Sequence, residues 1–184
     1  LCLNNNPSLI RNYLSFVGNL QELEFLDLSY TGINDKGLWK IIQASQKLKV
    51  LILNHCPNIT GSIFQQHMHF PELLAVDLSY GNIEDDSLFW LSQCPKLERV
   101  DISWCKNPSS IAIYNFTRIT FEADNLQEFW CVGTNIDGET VELLQQFSCS
   151  ISLDLSSCRQ VPRAQRLLHS KPLTRPHFLY PPPE

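Results

Sequence analysis

The sequence predicts an α/β solenoid bent into a horseshoe, with a parallel β-sheet on its concave face and helices on its convex face. Three features predict it. A Leu-x-x-Leu-x-Leu phrase starts at Leu23, Leu48, Leu73, Leu97 and Leu126, and again in weaker form at Ser150. The spacings of 25, 25, 24, 29 and 24 residues suit stacked units of one strand and one helix each. Inside each phrase apolar residues alternate with period two, and past it the period lengthens toward three and a half, as where a strand feeds a helix. Eight residues after each start stands a small residue, Thr31, Cys56, Gly81, Cys105, Thr134 or Cys158, where the chain must turn.

The elements follow in order. Leu3 lies one period before Leu28, so "LCL" reads as the end of a strand and the chain as part of a longer protein. In each later strand one alternating set faces the core: Leu26 and Leu28, Leu51 and Leu53, Val76 and Leu78, Val100 and Ile102, Phe129 and Cys131, Leu153 and Leu155. An apolar anchor follows the turn at Ile33, Ile59, Ile83 and Ile136. Asn34 or Asp35 can cap a helix carrying Leu38, Ile41 and Ile42; Asp85 can cap one with Leu88 and Leu91, and Asp137 one with Val141 and Leu144. Pro71 and Pro95 stand two residues before a repeat-starting Leu and return the chain to the next strand. About seven strands at roughly 4.8 Å would line a groove about 30 Å long.

At 184 residues, 43% hydrophobic and 18% charged, the chain can build one sizeable core. Its formal net charge of −5 argues against nucleic acid as the main partner and points to a protein ligand. No run reaches the roughly 18 to 20 apolar residues of a membrane span, and "LCLNNNPSL" lacks the regions of a signal peptide. Seven cysteines without a Cys-x-x-Cys pair form neither a disulfide framework nor a zinc site by spacing. At the repeat turns they are expected to tuck inward as small buried hydrophobes, in a reducing cytoplasmic or nuclear setting. The sequon Asn58-Ile59-Thr60 reads as an anchor and helix cap, and a second stands at Asn115-Phe116-Thr117.

The strand residues facing away from the core form columns across the repeats. One holds Asp27, Ile52, Asp77, Asp101, Trp130 and Asp154; a second holds Ser29, Asn54, Ser79, Ser103, Val132 and Ser156; a third holds Tyr30, His55, Tyr80, Trp104, Gly133 and Ser157. The expected partner-binding set on the concave face is Asp27, Tyr30, His55, Asp77, Tyr80, Asp101, Trp104, Trp130 and Asp154. Solvent-facing Tyr and Trp are the residue types that anchor interfaces, and carboxylates beside rings suit a partner or peptide with a basic surface. Against this, Leu-Asp-Leu-Ser is common wording in such repeats, where Asp beside Ser can simply satisfy local backbone. His67 and His69, two residues apart, do not share a helix face, so no metal site is expected. No phosphate-binding loop, zinc-protease helix or nucleophile elbow is present, so neither catalysis nor a cofactor is expected.

The strings "LDLSYTGINDKGL", "LNHCPNIT" and "LSQCPKLERVDISWC" resemble the cysteine-containing class of leucine-rich repeats, over residues 1 to about 160. That resemblance implies the horseshoe, and it is nearest to the repeat domains of F-box proteins, the substrate-recognising subunits of cullin-based (SCF) ubiquitin ligases. It implies a Skp-type adaptor and a cullin as partners, through an F-box that would lie upstream of Leu1. The same repeats also serve other intracellular adaptors, bacterial effectors and extracellular receptor domains. Two repeats depart from the pattern: the one from Leu97 is long, and the one from Leu126 places Trp130 and Cys131 where Asp and Leu recur. Residues 161–184, basic and rich in proline, are expected to form a short cap around Leu167 and Leu168 and then a loose tail.

Overall fold

A computed structural model of the chain describes residues 1–5, 20–61, 70–144, 155 and 157–169. Five three-residue strands, β1 (Phe25–Asp27), β2 (Val50–Ile52), β3 (Ala75–Asp77), β4 (Arg99–Asp101) and β5 (Glu128–Trp130), form one parallel sheet in chain order. Register carries one repeat onto the next: Leu26 pairs with Leu51, Leu51 with Val76, Val76 with Val100, and Val100 with Phe129. About seven strands were expected. The sheet has five among the described residues, and "LCL" adds only the isolated parallel bridge Cys2–Asp27. The expected strand with Leu153 lies outside the described residues.

Helices α1 (Asp35–Gln43), α2 (Asp85–Leu91), α3 (Ser110–Glu122), α4 (Gly138–Leu144) and α5 (Arg163–His169) pack behind that sheet or follow it. Leu38, Ile41 and Ile42 of α1, Leu88 and Leu91 of α2, and Val141 and Leu144 of α4 are buried in one cluster with the inward strand residues and the anchors Ile33, Ile59, Ile83 and Ile136. Each aliphatic side chain sunk there contributes about 1.5 to 3 kcal/mol, and the cluster is continuous from repeat to repeat. The long repeat from Leu97 spends its extra residues on α3, which at 13 residues is the longest helix described. It buries Ile113, Phe116, Thr117 and Thr120, and the two threonine hydroxyls donate back to Ile113 O (2.9 Å) and Phe116 O (2.8 Å).

The helix caps divide. Asn34 Oδ1 accepts the Gly37 N–H (2.9 Å) and Asp137 Oδ1 that of Thr140 (2.8 Å), as the sequence suggests. Asp85 does not cap α2: the cap residue is Glu84, without a side-chain bond, and Asp85 accepts the backbone N–H and hydroxyl of Ser109 in the next repeat, both at 2.7 Å. Asp35 does the same with the N–H and hydroxyl of Thr60 (3.2 and 2.8 Å). A first-turn Asp stitches repeats instead of closing its own helix, because the following repeat brings donors to it.

Two more ladders run through the loops. Asn58 donates to Gly32 O (3.1 Å), Asn82 to Pro57 O (2.8 Å), Asn107 to Asn82 O (3.1 Å), and Asn135 to Lys106 O. At the turns the thiols of Cys56, Cys105 and Cys158 reach Leu28 O (3.1 Å), Leu78 O (3.2 Å) and Cys131 O (3.2 Å), each a repeat back. Thr31 and Thr134 donate their hydroxyls to Leu28 O (2.7 Å) and Cys131 O (2.8 Å). The small turn residues therefore do face backbone groups from inside the core, and every cysteine among the described residues is a free thiol.

Candidate functional site

The third column builds a continuous stack of rings. Tyr30 and His55 lie with centroids 4.5 Å apart and planes 15° apart, His55 and Tyr80 at 4.2 Å and 19°, Tyr80 and Trp104 at 5.8 Å and 15°. The row ends on Gly133, where an added Cβ would come within 2.8 Å of the Trp104 ring. Lys106 lies over the same indole, its ammonium 5.3 Å from the centroid, and donates to Gly133 O. Tyr30, Tyr80 and Trp104 remain 50%, 39% and 37% exposed.

The backbone explains why these side chains line up. Tyr30, His55, Tyr80, Trp104 and Gly133 all have left-handed φ, at 59°, 54°, 59°, 66° and 65°. Each ring-bearing residue still donates its N–H to the next repeat, to Asn54 O (2.9 Å), Ser79 O (3.0 Å), Ser103 O (2.9 Å) and Val132 O (2.7 Å). Pairing thus continues one residue past the strand while the chain turns under the ring. Left-handed backbone costs a non-glycine residue roughly 1 to 2 kcal/mol, and an aromatic pair returns about 0.5 to 1.5 kcal/mol. The two are of the same size, so stacking alone gives no reason to keep four bulky residues where Gly or Asn would sit freely.

The first two columns are not the solvent-facing surface expected. Asp27, Asp101 and Trp130 are buried, at 5%, 2% and 3% exposure, and Asp77 is half-buried. Ser29, Asn54, Ser79 and Ser103 are buried too. Two causes act together. Trp130 joins Ile52 and Ala75 in a second apolar cluster on the face away from the helices, with Phe25 and Val50 against it, and this covers the middle of the face. The carboxylates fold onto their own strand ends: Asp27 Oδ1 accepts the Ser29 N–H (2.9 Å) and hydroxyl (2.6 Å), Asp77 Oδ1 the same pair from Ser79 (2.9 and 2.5 Å), and Asp101 Oδ1 the Ser103 N–H (2.7 Å). The other oxygen of Asp27 accepts from Asn4 (2.9 Å). These are Asx turns that lead the chain into the left-handed residue. Asp154 lies outside the described residues.

Of the residues read from the sequence, the fold brings Tyr30, His55, Tyr80 and Trp104 into one row, His55 half-buried and the other three exposed, with Asp27, Asp77 and Asp101 as its supports. It puts Trp130 on the covered floor beside them. Sequence reasoning missed Lys106, two residues past Trp104, and Asn54, whose Oδ1 lies 2.7 Å from His55 Nδ1 and whose amide donates to Ser79 Oγ (2.5 Å). Among the described residues no group of His, Cys, Asp and Glu is arranged to hold a metal ion, and His67 and His69 lie outside them. No described helix is long and apolar enough to cross a membrane.

A family model for the Leucine Rich repeat matches residues 19–41, the repeat that runs through β1 and its turn into α1 and carries Asp27 and Tyr30. That match and the parallel sheet built by its counterparts fit an α/β fold of the leucine-rich repeat kind, a module of protein–protein interaction.

Proposed function

We propose that this chain is a non-catalytic protein-binding domain whose partner lies along the ring ladder of Tyr30, His55, Tyr80 and Trp104. One observation carries the reading: four bulky residues hold strained left-handed backbone at successive repeats and stack their rings in one row, three of them exposed. Strain kept at regular intervals with no net gain in stability is the mark of a functional position, and Tyr and Trp are the side chains that anchor interfaces. Asp27, Asp77 and Asp101 hold the turns beneath the row, and Trp130 fills the floor beside it. In this reading the sheet curves with the ladder on its concave side, residues 1–160 form the repeat domain, and residues 161–184 its cap and tail.

The resemblance to F-box repeat proteins supports a finer assignment, substrate recognition in an SCF-type ubiquitin ligase in the cytoplasm or nucleus. The test is an affinity purification of the full-length protein from its own cells, with the ladder intact and with the triple substitution Tyr30→Asn, Tyr80→Asn and Trp104→Asn. Recovery of a Skp-type adaptor and a cullin in both, with further partners lost only from the substituted protein, is the expected result. Partners retained by the substituted protein would remove the ladder from the interface, and a cullin absent from both would remove the ligase assignment.

A further inference from the structure

We propose that residues 170–184 fold back as a strap across the sheet face away from the helices, over the floor of Ile52, Ala75 and Trp130. The inference stands apart from what the ladder binds and starts from burial. Trp130 is the largest side chain on that face, yet it is 3% exposed, and Ile52 and Ala75 in the same cluster are 2% and 1% exposed. Longer neighbours can roof a small residue, but an indole laid over a sheet shields what is beneath it and not its own outer side. Its partner in register, Asp101, is shorter and is bent into the turn at Ser103. Tyr30, Tyr80 and Trp104 at the strand ends stay 37% to 50% exposed, so the cover stops at the floor. In a lone chain, that cover is the chain itself.

Register leaves one segment to supply it. Residues 6–19 and 62–69 stand between a turn and the next strand, where other repeats have α1, α2 and α3, and residues 145–154 lead from α4 to Leu155. Residues 170–184, also outside the described residues, follow α5 and have no repeat to complete. Each earlier helix is followed by a return to the sheet, and Pro172 stands shortly past α5 as Pro95 stands past α2. Pro176 and the run from Pro181 to Pro183 lack the N–H groups that a further parallel strand would need, so the segment crosses the sheet as extended polyproline chain. At about 3.1 Å per residue it reaches roughly 45 Å. The way from the strand position of Leu155 back to β1 is roughly 24 Å at about 4.8 Å per strand.

The chemistry of the two surfaces matches. Beside the apolar cluster of Ile52, Ala75 and Trp130 the floor carries Asp27, Asp77 and Asp101. Their turns donate from the N–H groups of Ser29, Ser79 and Ser103 and from the hydroxyls of Ser29 and Ser79, all neutral, so the negative charge stays on the face. Arg99 and Glu128, in register on β4 and β5, offset one another. A carboxylate as deeply buried as Asp101, 2% exposed, calls for a cation. The segment brings Lys171 and Arg175 for the carboxylates, and Leu173, Phe178, Leu179 and Tyr180 for the apolar cluster.

The test uses the full chain with the photocrosslinker p-benzoylphenylalanine in place of Leu173 or of Tyr180, irradiated as an equal mixture of light and heavy-isotope chains and mapped by mass spectrometry. Expected are cross-links within one chain, from position 173 to peptides of β4 or β5 and from position 180 to those of β1, β2 or β3. Their yield should fall several-fold when Lys171→Glu and Arg175→Glu set like charges against Asp77 and Asp101. Cross-links confined to the helices, cross-links only between light and heavy chains, or no cross-links at all would each overturn the strap. A yield unchanged by the charge reversals would overturn the pairing with the carboxylates.

Discussion

A tyrosine with φ near +59° is a costly choice, and its cost sets what happens when it is removed. Tyr80 stacks on His55 at 4.2 Å and on Trp104 at 5.8 Å, and the turn beneath it is held by Asp77 and Ser79 whatever the side chain above. Asn enters the left-handed region more readily than Tyr, so Tyr80→Asn relieves about as much strain as it loses in stacking. Urea unfolding of Tyr80→Asn is expected to differ from the parent by less than about 1 kcal/mol; a loss of roughly 3 kcal/mol would mean that the ring is part of the core and not a surface held for a partner. Asp27 and Asp101 show why such residues are hard to place from sequence. Alternation assigns them to the face away from the helices, and they are on it, yet burial there depends on how far Trp130 and Ile52 reach over their neighbours. A single repeat does not encode that reach.

The elements were far more legible, because each is fixed by a pattern contained in one repeat. Leu38, Ile41 and Ile42 announce α1, Leu88 and Leu91 announce α2, and all five side chains are buried as read. Caps are less legible where a side chain has two choices. Asp85 could close α2 or accept from Ser109, and only the position of the next repeat decides for Ser109. Asp137 has its own helix to serve, and the Thr140 N–H, ahead of the Thr140 and Ser110 hydroxyls, holds its carboxyl below the usual carboxylate range. A depressed native value means that the cap is fully in force at neutral pH and is lost as pH falls through that value. Asp137→Ala should cost about 1 kcal/mol at pH 7, and the difference from the parent should shrink in acid. Parallel thermal melts at pH 7 and pH 3 measure it, and an equal difference at both would show the carboxylate charge to be irrelevant to the cap.

At the scale of the molecule, the turn thiols and the leucines form one core across all the repeats, so their chemistry bears on the stability of the whole stack. Burial pushes Cys94 and Cys105 up to about 12 and raises Cys56 from its ordinary value, partly offset there by Thr31. The unfolded chain releases those protons near pH 8.5, well before the folded chain does. Between that value and about 12 the folded state binds more protons than the unfolded one, so stability is complete below the window and declines as pH rises through it. Each thiol contributes roughly 1.4 kcal/mol per pH unit there, so the pair Cys94 and Cys105 removes about 4 kcal/mol between pH 9 and 10.5, much of what a domain has. Lysines and tyrosines also titrate in this range, so the informative quantity is a difference in slope. Urea unfolding under reductant at pH 8, 9.5 and 10.5 should show a steep fall in the parent and a shallower one in a Cys94→Ala, Cys105→Ala variant, even though the variant starts less stable. Parallel slopes would mean that these thiols ionise as freely in the folded stack as in the open chain, and that the core is not sealed around them.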